Sequence, residues 1–357
     1  MKSPKTHLFF TQKLLHWNRS SNDRAMPWKF EKDPYKIWLS EIILQQTRVE
    51  QGTSYYNEFV KKYPTIRLLA KAPESEVFKL WEGLGYYSRC RNLLATAQQI
   101  TQERKGQFPD QYADILQLKG IGPYTAAAIA SFAYNLPYAV VDGNVMRVLS
   151  RFFGIQTPID SAEGKKQFAV LADQLLPKDQ PALYNQAIMD FGATVCKPQS
   201  PHCSRCPLRA QCHAFQQNKV DHFPVKEKRL VKKNRYFFYL IASYKDQYYV
   251  RQRLQKDIWQ HLYEFILFEE PKLMQPDDFI HLGKLQQWLG KKAKMVHASS
   301  LQKQTLTHQT IAGHFIHFQL HAPLQSNEYT PINLRQLSQL AFPKFIAQYM
   351  AANKHLL

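Results

Sequence analysis

Three features are scarce in this sequence of 357 residues: long apolar runs, cysteines and acidic residues. The most apolar stretches, "AAAIASFAY" and "FFYLIASY", are too short to cross a bilayer. The N-terminal stretch "MKSPKTHLFFTQKLLHW" has neither the long apolar core nor the small-residue cleavage site of a signal peptide. The sequence therefore predicts a cytoplasmic protein without a membrane partner.

The shortage of acidic residues leaves a strongly basic chain. Lys and Arg number 47 against 28 Asp and Glu, which gives a net charge of +19. So basic a surface favours an anionic partner, and DNA, RNA and acidic membranes are the candidates. Combined with an aromatic content of 13%, the charge favours a nucleic acid. The alternative is a solvated basic surface that has no such role.

The five cysteines do not form a disulfide framework. Four of them lie between residues 196 and 212, and only Cys90 stands apart. One local cluster is typical of a metal site in a reducing compartment. The spacing C-x6-C-x2-C-x5-C can enclose a single zinc ion or an iron–sulfur cluster, and by itself it leaves both open. The predicted ligands are Cys196, Cys203, Cys206 and Cys212.

The chain length and the change of pattern along it predict two domains. Residues 1–215 show apolar residues at helical spacing, punctuated by Gly and Pro. A basic, polar linker follows at 216–234. Residues 235–350 mix strand patterns such as "YFFYLIASYKDQYYVRQR" with two helical patterns, "PDDFIHLGKLQQWLG" and "PINLRQLSQLAFPKFIAQYM", and predict a smaller α+β domain.

The stretch "LKGIGPYTAAAIA", residues 118–130, predicts a helix end, a turn and a new helix opened by Pro123. Gly120 and Gly122 allow close approach of the backbone, and the N–H groups at the start of the helix can hold a phosphate oxygen. Asp142 then precedes another helix in "VVDGNVMRVLSR". From the pattern alone Asp142 is an N-cap, a role that is compatible with catalysis.

Glu41 is an ionisable residue inside the apolar run "WLSEIILQQT". A helix that is apolar nearly all round is buried, and burial raises the pKa of a carboxyl group. A protonated Glu near pH 7 is suited to act as a general acid. The alternative is a structural Glu that pairs with Arg48 on the same helix face.

Two of these motifs resemble those of one enzyme superfamily. The cysteine spacing after "DFGATVC", and the hairpin "LxGIGxxT" followed by Asp142, resemble the endonuclease III superfamily of helix-hairpin-helix DNA glycosylases. This resemblance implies a mainly α-helical glycosylase fold, a [4Fe–4S] cluster on the four cysteines and a catalytic role for Asp142. Bifunctional members carry a Lys at the position of Tyr124, and a phenol cannot form the imine needed for strand cleavage.

The stretch "PWKFEKDPYKIWLSEIILQQTRVEQ", together with "GLGYYSR" and "GIGPYT", resembles the MutY-type adenine DNA glycosylases. The resemblance implies a monofunctional enzyme of base excision repair that removes adenine mispaired with 8-oxoguanine or guanine. It implies duplex DNA with such mispairs as the partner of a monomer associated with the bacterial nucleoid. Glu41 would be the catalytic acid, with Asp142 and Tyr124 beside the sugar. The resemblance also places Trp28 and Gln186 at the adenine, Gln46 and Tyr86 inserted into the duplex, and Gly120 and Gly122 at the DNA backbone.

The C-terminal segment "DIWQHLYEFILFE" resembles the Nudix-like domain of the same family. The run of Glu that binds metal in Nudix hydrolases is missing, which speaks against pyrophosphate hydrolysis. By resemblance the 8-oxoguanine reader falls on Thr307 and His308, where the family's Phe-Ser-His is replaced by Leu306-Thr307-His308.

Two further hypotheses remain. One is a related glycosylase for mismatched thymine or oxidised pyrimidines; Tyr124 and the second domain speak against the pyrimidine enzyme. The other is a catalytically silent DNA- or RNA-binding protein with a structural metal. A binder needs none of Glu41, Tyr124 and Asp142, so their joint presence speaks against it.

Overall fold

The computed structural model describes residues 3–227, 231–282, 284–289 and 293–357, and it divides into two compact units. The first unit consists of Met1–Lys71 and Asn92–Arg229, and the second of Ala72–Arg91 and Leu230–Leu357. The predicted boundaries place residues 72–91 in the helical domain, whereas their contacts group them with the C-terminal part of the chain. Residues 228–230 of the predicted linker lie outside the described residues.

The first unit is helical, as the apolar spacing predicts. The segment Ala72–Arg91, which belongs to the second unit, is helical in part as well. The helices up to the linker are α1 (Pro4–Ser20), α2 (Pro34–Leu44), α3 (Val49–Lys62), α4 (Ile66–Ala70), α5 (Glu74–Trp81), α6 (Ser88–Glu103), α7 (Tyr112–Leu116), α8 (Pro123–Tyr134), α9 (Gly143–Phe153), α10 (Ala162–Leu175), α11 (Pro181–Thr194) and α12 (His213–Gln216).

One core of the first unit is formed by the apolar faces of α1, α9, α10 and α11. Phe10, Phe152, Phe168 and Phe191 are buried together there. Burying one such side chain contributes about 1.5–3 kcal/mol. Three of the clustered cysteines pack against this core, so the cysteine loop is attached to the same helices that carry Asp142 and Gln186.

The segment between α7 and α8 forms the predicted hairpin. Gly120 has φ +78°, and a Cβ atom there would lie 2.8 Å from the side chain of Asn92. Both the backbone conformation and the close approach therefore require glycine at this turn. Pro123 opens α8, whose buried residues include Thr125 and Ser131.

The second unit contains one eight-stranded mixed sheet. Its central pair, β1 and β7, is parallel, and the other pairings are antiparallel. Phe238, Ile316 and Phe279 are buried on one face of the sheet. The strands are β1 (Lys233–Tyr244), β2 (Gln247–Gln252), β3 (Tyr263–Glu264), β4 (Ile266–Glu270), β5 (Lys294–Ala298), β6 (Gln302–Thr305), β7 (Gln309–Gln319) and β8 (Thr330–Asn333), and the helices are α13 (Pro276–Ile280), α14 (Lys284–Leu289), α15 (Leu334–Gln339) and α16 (Lys344–Ala352).

Both helical predictions for this domain are wrong in extent. The pattern at 276–290 contains two helices, α13 and α14; residues 283 and 290 lie outside the described residues. The pattern at 331–350 begins as β8, which pairs with β2, and then splits into α15 and α16. Pro343 precedes α16, where a missing N–H and a fixed φ favour a helix start over continuation of α15. Across the described ranges, the helices are all too short or too polar to span a bilayer.

Candidate active site

The first unit contains a cavity of about 530 Å³ that gathers six of the predicted catalytic and substrate-binding residues. Helices α2, α8, α9 and α11 each contribute to its wall. The predicted residues that line it are Trp28, Glu41, Gln46, Tyr124, Asp142 and Gln186. Residues from five regions of the sequence are therefore brought to one cavity of the size that ligand sites usually have.

Glu41 is buried on α2, with only 6% of its surface exposed. Burial raises the pKa of its carboxyl group to about 7, an effect that the hydrogen bond from Tyr124 opposes and the nearby charge of Asp142 increases. The alternative, in which Glu41 pairs with Arg48 on one helix face, is wrong because the two residues are not on the same helix. α2 ends at Leu44, and Arg48 is an exposed residue that precedes α3.

Tyr124 lies in the first turn of α8, directly after the hairpin. Its hydroxyl donates a hydrogen bond to Glu41. Burial, followed by the charges of Glu41 and Asp142, raises the pKa of the phenol well above its usual value. Tyr124 is therefore a neutral hydrogen-bond donor in the cavity across the physiological pH range.

Asp142 is both the N-cap of α9 and a wall residue of the cavity. One oxygen accepts from the backbone N–H of Val145 at 2.7 Å, and the other accepts from Nδ2 of Asn144 at 2.7 Å. Burial raises the pKa of Asp142, while these two hydrogen bonds oppose the shift. These capping hydrogen bonds hold the carboxylate in one orientation. Asp142 is therefore an N-cap and a residue of the cavity at the same time.

A chain of hydrogen bonds connects Asp142 to the cysteine loop. Asn144, which donates to Asp142, accepts from Nη2 of Arg147 at 2.8 Å. Arg147 also donates to the carbonyl oxygens of Gly192, at 2.7 Å, and Cys196, at 2.8 Å. Arg147 is 8% exposed, so this connection runs through the interior of the first unit.

The four clustered cysteines border one small cavity, about 30 Å³ in volume, beside Arg151. Arg151 donates to Sγ of Cys196 at 3.5 Å and to the carbonyl oxygen of Lys197 at 2.7 Å. Burial raises the pKa of Cys206 to about 12. Within the residues that the structure describes, no group of three or more His, Cys, Asp or Glu side chains is placed to hold a single metal ion.

Three further predicted residues, Tyr86, Thr307 and His308, lie in the second unit. Thr307 and His308 are exposed at the turn of the hairpin between β6 and β7, while Leu306 is half-buried. The hydroxyl groups of Tyr86 and Thr307 are hydrogen-bonded to each other. Tyr86 has φ +47°, a backbone conformation that is strained for a residue with a side chain. Gln46, in the first unit, is exposed and has φ +56°.

Comparison with known proteins finds two family models in this chain. Residues 39–173 match the family model "HhH-GPD superfamily base excision DNA repair protein", and residues 237–352 match "NUDIX domain". The adenine DNA glycosylase of Buchnera aphidicola subsp. Baizongia pistaciae is 35% identical over 311 residues, which cover 86% of this chain and 85% of that protein. This chain belongs to the adenine DNA glycosylase family.

The adenine DNA glycosylase of Homo sapiens is 42% identical over 217 residues, which cover 58% of this chain and 39% of the human protein. Among solved structures, a thermostable thymine-DNA glycosylase matches with a TM-score of 0.56 and 30% identity, over 60% of this chain and 98% of that one. A complex of endonuclease III with DNA matches with a TM-score of 0.52 and 19% identity, over 61% of this chain and 99% of that one. The helix-hairpin-helix fold and the Nudix-like fold are therefore confirmed.

In this family member, three glutamates of the Nudix-like domain are paired with arginines. Glu264 pairs with Arg251 at 3.0 Å, and Glu328 pairs with the same arginine at 2.6 Å. Glu269 pairs with Arg235 at 2.6 Å. Carboxylates held by guanidinium groups are poorly placed to bind a divalent cation.

Sequence reasoning missed several residues of the glycosylase cavity. Arg24 and the exposed Phe30, which has φ +70°, also line it. Asp190, fully buried on α11, pairs with Arg24 and accepts a hydrogen bond from Gln186. A carboxylate inside the apolar stretch "YNQAIMDFGAT", four residues after Gln186, was the signal that could have found Asp190.

The segment that carries Tyr86 is attached to the Nudix-like part of the second unit at several points. Glu82 accepts from the backbone N–H of Phe342 at 2.8 Å and pairs with Lys79 at 2.8 Å. Lys79 also donates to the carbonyl oxygen of Leu340 at 2.9 Å. Arg91 donates to Gln260 at 2.9 Å. These contacts explain why residues 72–91 group with the second unit.

Proposed function

We propose that this chain is a monofunctional adenine DNA glycosylase that hydrolyses the N-glycosidic bond of adenine mispaired with 8-oxoguanine or guanine. The observation that carries the proposal is the group of three in one cavity: Glu41, with a pKa near 7, Tyr124 bonded to it, and Asp142 close enough to influence its charge. A protonated carboxyl group beside an ionised one is the arrangement that glycosidic-bond cleavage uses.

Glu41 is the proton donor in this proposal. The adenine leaves the duplex stack and enters the cavity, at a cost of roughly a few kcal/mol that is smaller at a mispair. Glu41 then protonates the base, at N7, so that it leaves as a neutral molecule. A pKa near 7 keeps a large fraction of Glu41 protonated at physiological pH, and general acid catalysis of this kind contributes about 10²- to 10⁴-fold.

Asp142 supports the sugar as positive charge develops on it. Its two hydrogen bonds, from Val145 and Asn144, hold the carboxylate in place, and a fixed carboxylate stabilises an oxocarbenium-like transition state without reorganisation. Tyr124 supplies the hydroxyl that bridges to Glu41. Because position 124 is a phenol and not an amine, we expect little or no strand cleavage through an imine.

We assign recognition of the opposite base to the second unit. Thr307 and His308 stand exposed at a hairpin turn, and Thr307 is bonded to Tyr86. A hydroxyl and an imidazole can pair with the oxygen and the N–H that distinguish 8-oxoguanine from guanine. Gln46 and Tyr86, both held in left-handed backbone conformations, are the proposed insertion residues, and Trp28 forms a wall of the adenine pocket.

The four loop cysteines fit a [4Fe–4S] cluster by their donor type and placement. They are the only clustered thiols of the sequence, and they border one cavity next to Arg151. Cys196, Cys203, Cys206 and Cys212 would each supply one thiolate. Bound there, the group would fix the loop that presents Lys197, Arg205 and Arg209 to the DNA backbone. Arg151 orients Cys196 and the following carbonyl groups.

The proposed partner is duplex DNA, bound by a monomer at the nucleoid of a bacterial cell. Gly122 precedes α8, and the space where a Cβ atom would stand is open. A phosphate could therefore approach the N–H groups of that helix, with Gly120 shaping the turn. We propose residues 1–215 as the catalytic domain, 216–234 as the linker and 235–350 as the lesion-recognition domain.

A second candidate is excision of thymine from a mismatch, which the 30% identical thymine-DNA glycosylase structure favours. That likeness covers 60% of the chain. The curated adenine DNA glycosylases, in contrast, extend over as much as 87% of it. We therefore rank thymine second.

The test is single-turnover base release from duplexes that pair A, T or C with 8-oxoguanine or G. Released adenine, fastest opposite 8-oxoguanine, is expected. Release of thymine in place of adenine would support the second candidate, and absence of any released base would leave a DNA-binding protein.

A further inference from the structure

Asp190 is a fully buried carboxylate on α11, one helical turn beyond Gln186. It accepts hydrogen bonds from Nη1 of Arg24 at 2.8 Å and from Nδ2 of Asn22 at 2.9 Å, and Nζ of Lys29 lies 3.4 Å away. A buried carboxylate needs such partners, because unpaired it would cost several kcal/mol. The contacts with Arg24, Asn22 and Lys29 compensate the burial of this charge. They do not explain a fourth contact that Asp190 makes.

The fourth contact is with Gln186. The amide nitrogen Nε2 of Gln186 donates to Oδ1 of Asp190 at 3.0 Å. Gln186 is half-buried and lines the same cavity as Glu41 and Asp142. An ionised carboxylate only accepts hydrogen bonds, so the nitrogen side of the amide must be the side that faces Asp190. The carbonyl oxygen Oε1 is then turned to the opposite edge of the planar amide.

We propose that Asp190 is a positioning residue that fixes the amide of Gln186, so that Oε1 reads the exocyclic amino group of the extruded base. A glutamine whose amide can turn offers a donor or an acceptor and does not discriminate between amino and carbonyl groups. With its nitrogen held by Asp190, Gln186 presents an acceptor. This inference rests on the proposed function and specifies how the site selects its base.

The chemistry of the bases gives this orientation a consequence. Adenine carries an amino donor at position 6, whereas hypoxanthine and guanine carry a carbonyl there, and thymine carries one at position 4. An acceptor in the cavity pairs with the amino group and leaves two acceptors facing each other when a carbonyl base enters. A site built around one hydrogen bond rejects the mismatched group because a buried polar atom is left unpaired.

The test compares single-turnover release of adenine and hypoxanthine, each paired with 8-oxoguanine, by the full-length protein. The ratio of the two rates is the readout, because differences in intrinsic leaving-group ability cancel when one ratio is compared across variants. A general loss of stability slows both reactions and leaves the ratio unchanged.

Two substitutions of Gln186 test which edge reads the base. Gln186→Leu removes the acceptor, and we expect the adenine-to-hypoxanthine ratio to fall about tenfold. Gln186→Glu keeps an acceptor: its carboxyl, protonated beside Asp190, donates to Asp190 and directs its other oxygen away. The ratio should therefore remain within about threefold of wild type. A ratio that stays unchanged or rises in Gln186→Leu would show that Oε1 does not read the amino group, and would overturn the proposal.

Two substitutions of Asp190 test the positioning role itself. Asp190→Ala frees the amide to turn, and the ratio should fall as far as in Gln186→Leu. Asp190→Asn keeps a carbonyl oxygen that can accept from Gln186, but its amide nitrogen would face the donors of Asn22 and Lys29. Its ratio should therefore lie between those of wild type and Asp190→Ala. If Asp190→Ala does not fold, the double variant Arg24→Met/Asp190→Leu removes the buried pair together, which proteins tolerate better. If a folded variant that lacks the Asp190 carboxylate shows the same adenine-to-hypoxanthine ratio as wild type, the proposal is wrong.

Thr194→Val is the matched control. Thr194 lies on the same helix and donates to the backbone carbonyl of Asp190 at 2.8 Å, away from its carboxylate. Its substitution should leave the ratio unchanged. Failure of the proposed function would appear differently, as wild-type protein that releases no adenine at all.

Discussion

The hydroxyl of Tyr124 donates a hydrogen bond to the carboxyl group of Glu41; Glu41 is buried, and Tyr124 is half-buried. The bond favours the ionised form of Glu41, while burial favours the protonated form, and burial is the larger effect because the pKa rises to about 7. The hydrogen bond from Tyr124 therefore limits this rise, because burial alone would raise the pKa of Glu41 further.

Glu41→Gln should bind mispaired DNA with nearly unchanged affinity and lose at least about 10²-fold in single-turnover adenine release, because the amide cannot donate the acid proton. Titration of labelled duplex and quantification of released base measure the two quantities separately. Excision at the wild-type rate would assign the acid to another residue.

The rate of base release should fall as pH rises through about 7, since the acid must be protonated to act. It should also fall at low pH, where Asp142 takes up a proton and loses its charge. The two limbs report apparent values of the interacting pair. A pH series of single-turnover rates measures both, and a rate that increases steadily above pH 7 would contradict the role of Glu41.

The same shift predicts a cost in stability. The folded protein holds the Glu41 proton up to about pH 7, whereas the unfolded chain releases it near 4.5. Folded protein therefore binds more protons in this window, and its stability contribution falls as pH rises, by up to about 3 kcal/mol. Urea unfolding at pH 5 and pH 8 should show Glu41→Gln gaining stability relative to wild type at the higher pH. An equal difference at both values would indicate an unshifted carboxyl group.

Arg147→Met should slow base release by about tenfold although it leaves Asp142 unchanged. The reason is that Asn144, which donates to Asp142, loses the arginine that orients its amide. Asn144→Ala removes the next member of the same chain. If both act through Asp142, the double variant should be no slower than the slower single variant. Multiplying effects would show that they act independently.

Glu82→Ala should weaken the preference for adenine opposite 8-oxoguanine over adenine opposite guanine, because Glu82 accepts from the backbone of Phe342 and so supports the segment that carries Tyr86. The ratio of the two single-turnover rates is the measurement. Ser75→Ala, an exposed substitution on the preceding turn of the same segment, is the control. An unchanged ratio would mean that Tyr86 needs no support from Glu82.

The local sequence is sufficient to predict a site residue when its burial or its capping position depends only on the helix to which it belongs. Glu41 was identified because its neighbours are apolar, and Asp142 because it precedes a helix start; the structure gives both these environments. The family and both folds are likewise confirmed. The catalytic roles themselves stay predictions until base release is measured.

What the sequence did not predict depends on pairings between distant segments. Arg147 meets the carbonyl of Cys196 from 49 residues away, and Arg24 meets Asp190 from 166. Neither partner can be read from local periodicity. The helical pattern at 331–350 failed for a related reason: Pro331–Asn333 becomes a strand because β2 offers it a partner, and tertiary pairing overrides local preference.

The attachment of α5 to the loop before α16 has a consequence for the order in which the chain is made. Glu82 and Phe342 are 260 residues apart in sequence. At the usual speed of synthesis, about 5–20 residues per second, on the order of 10–50 s separate their appearance. During that time Phe78, which is buried in the finished protein, lacks its ring contact with His261. Nascent chains stalled before residue 342 should therefore be more readily cleaved by protease near α5 than released, complete chains.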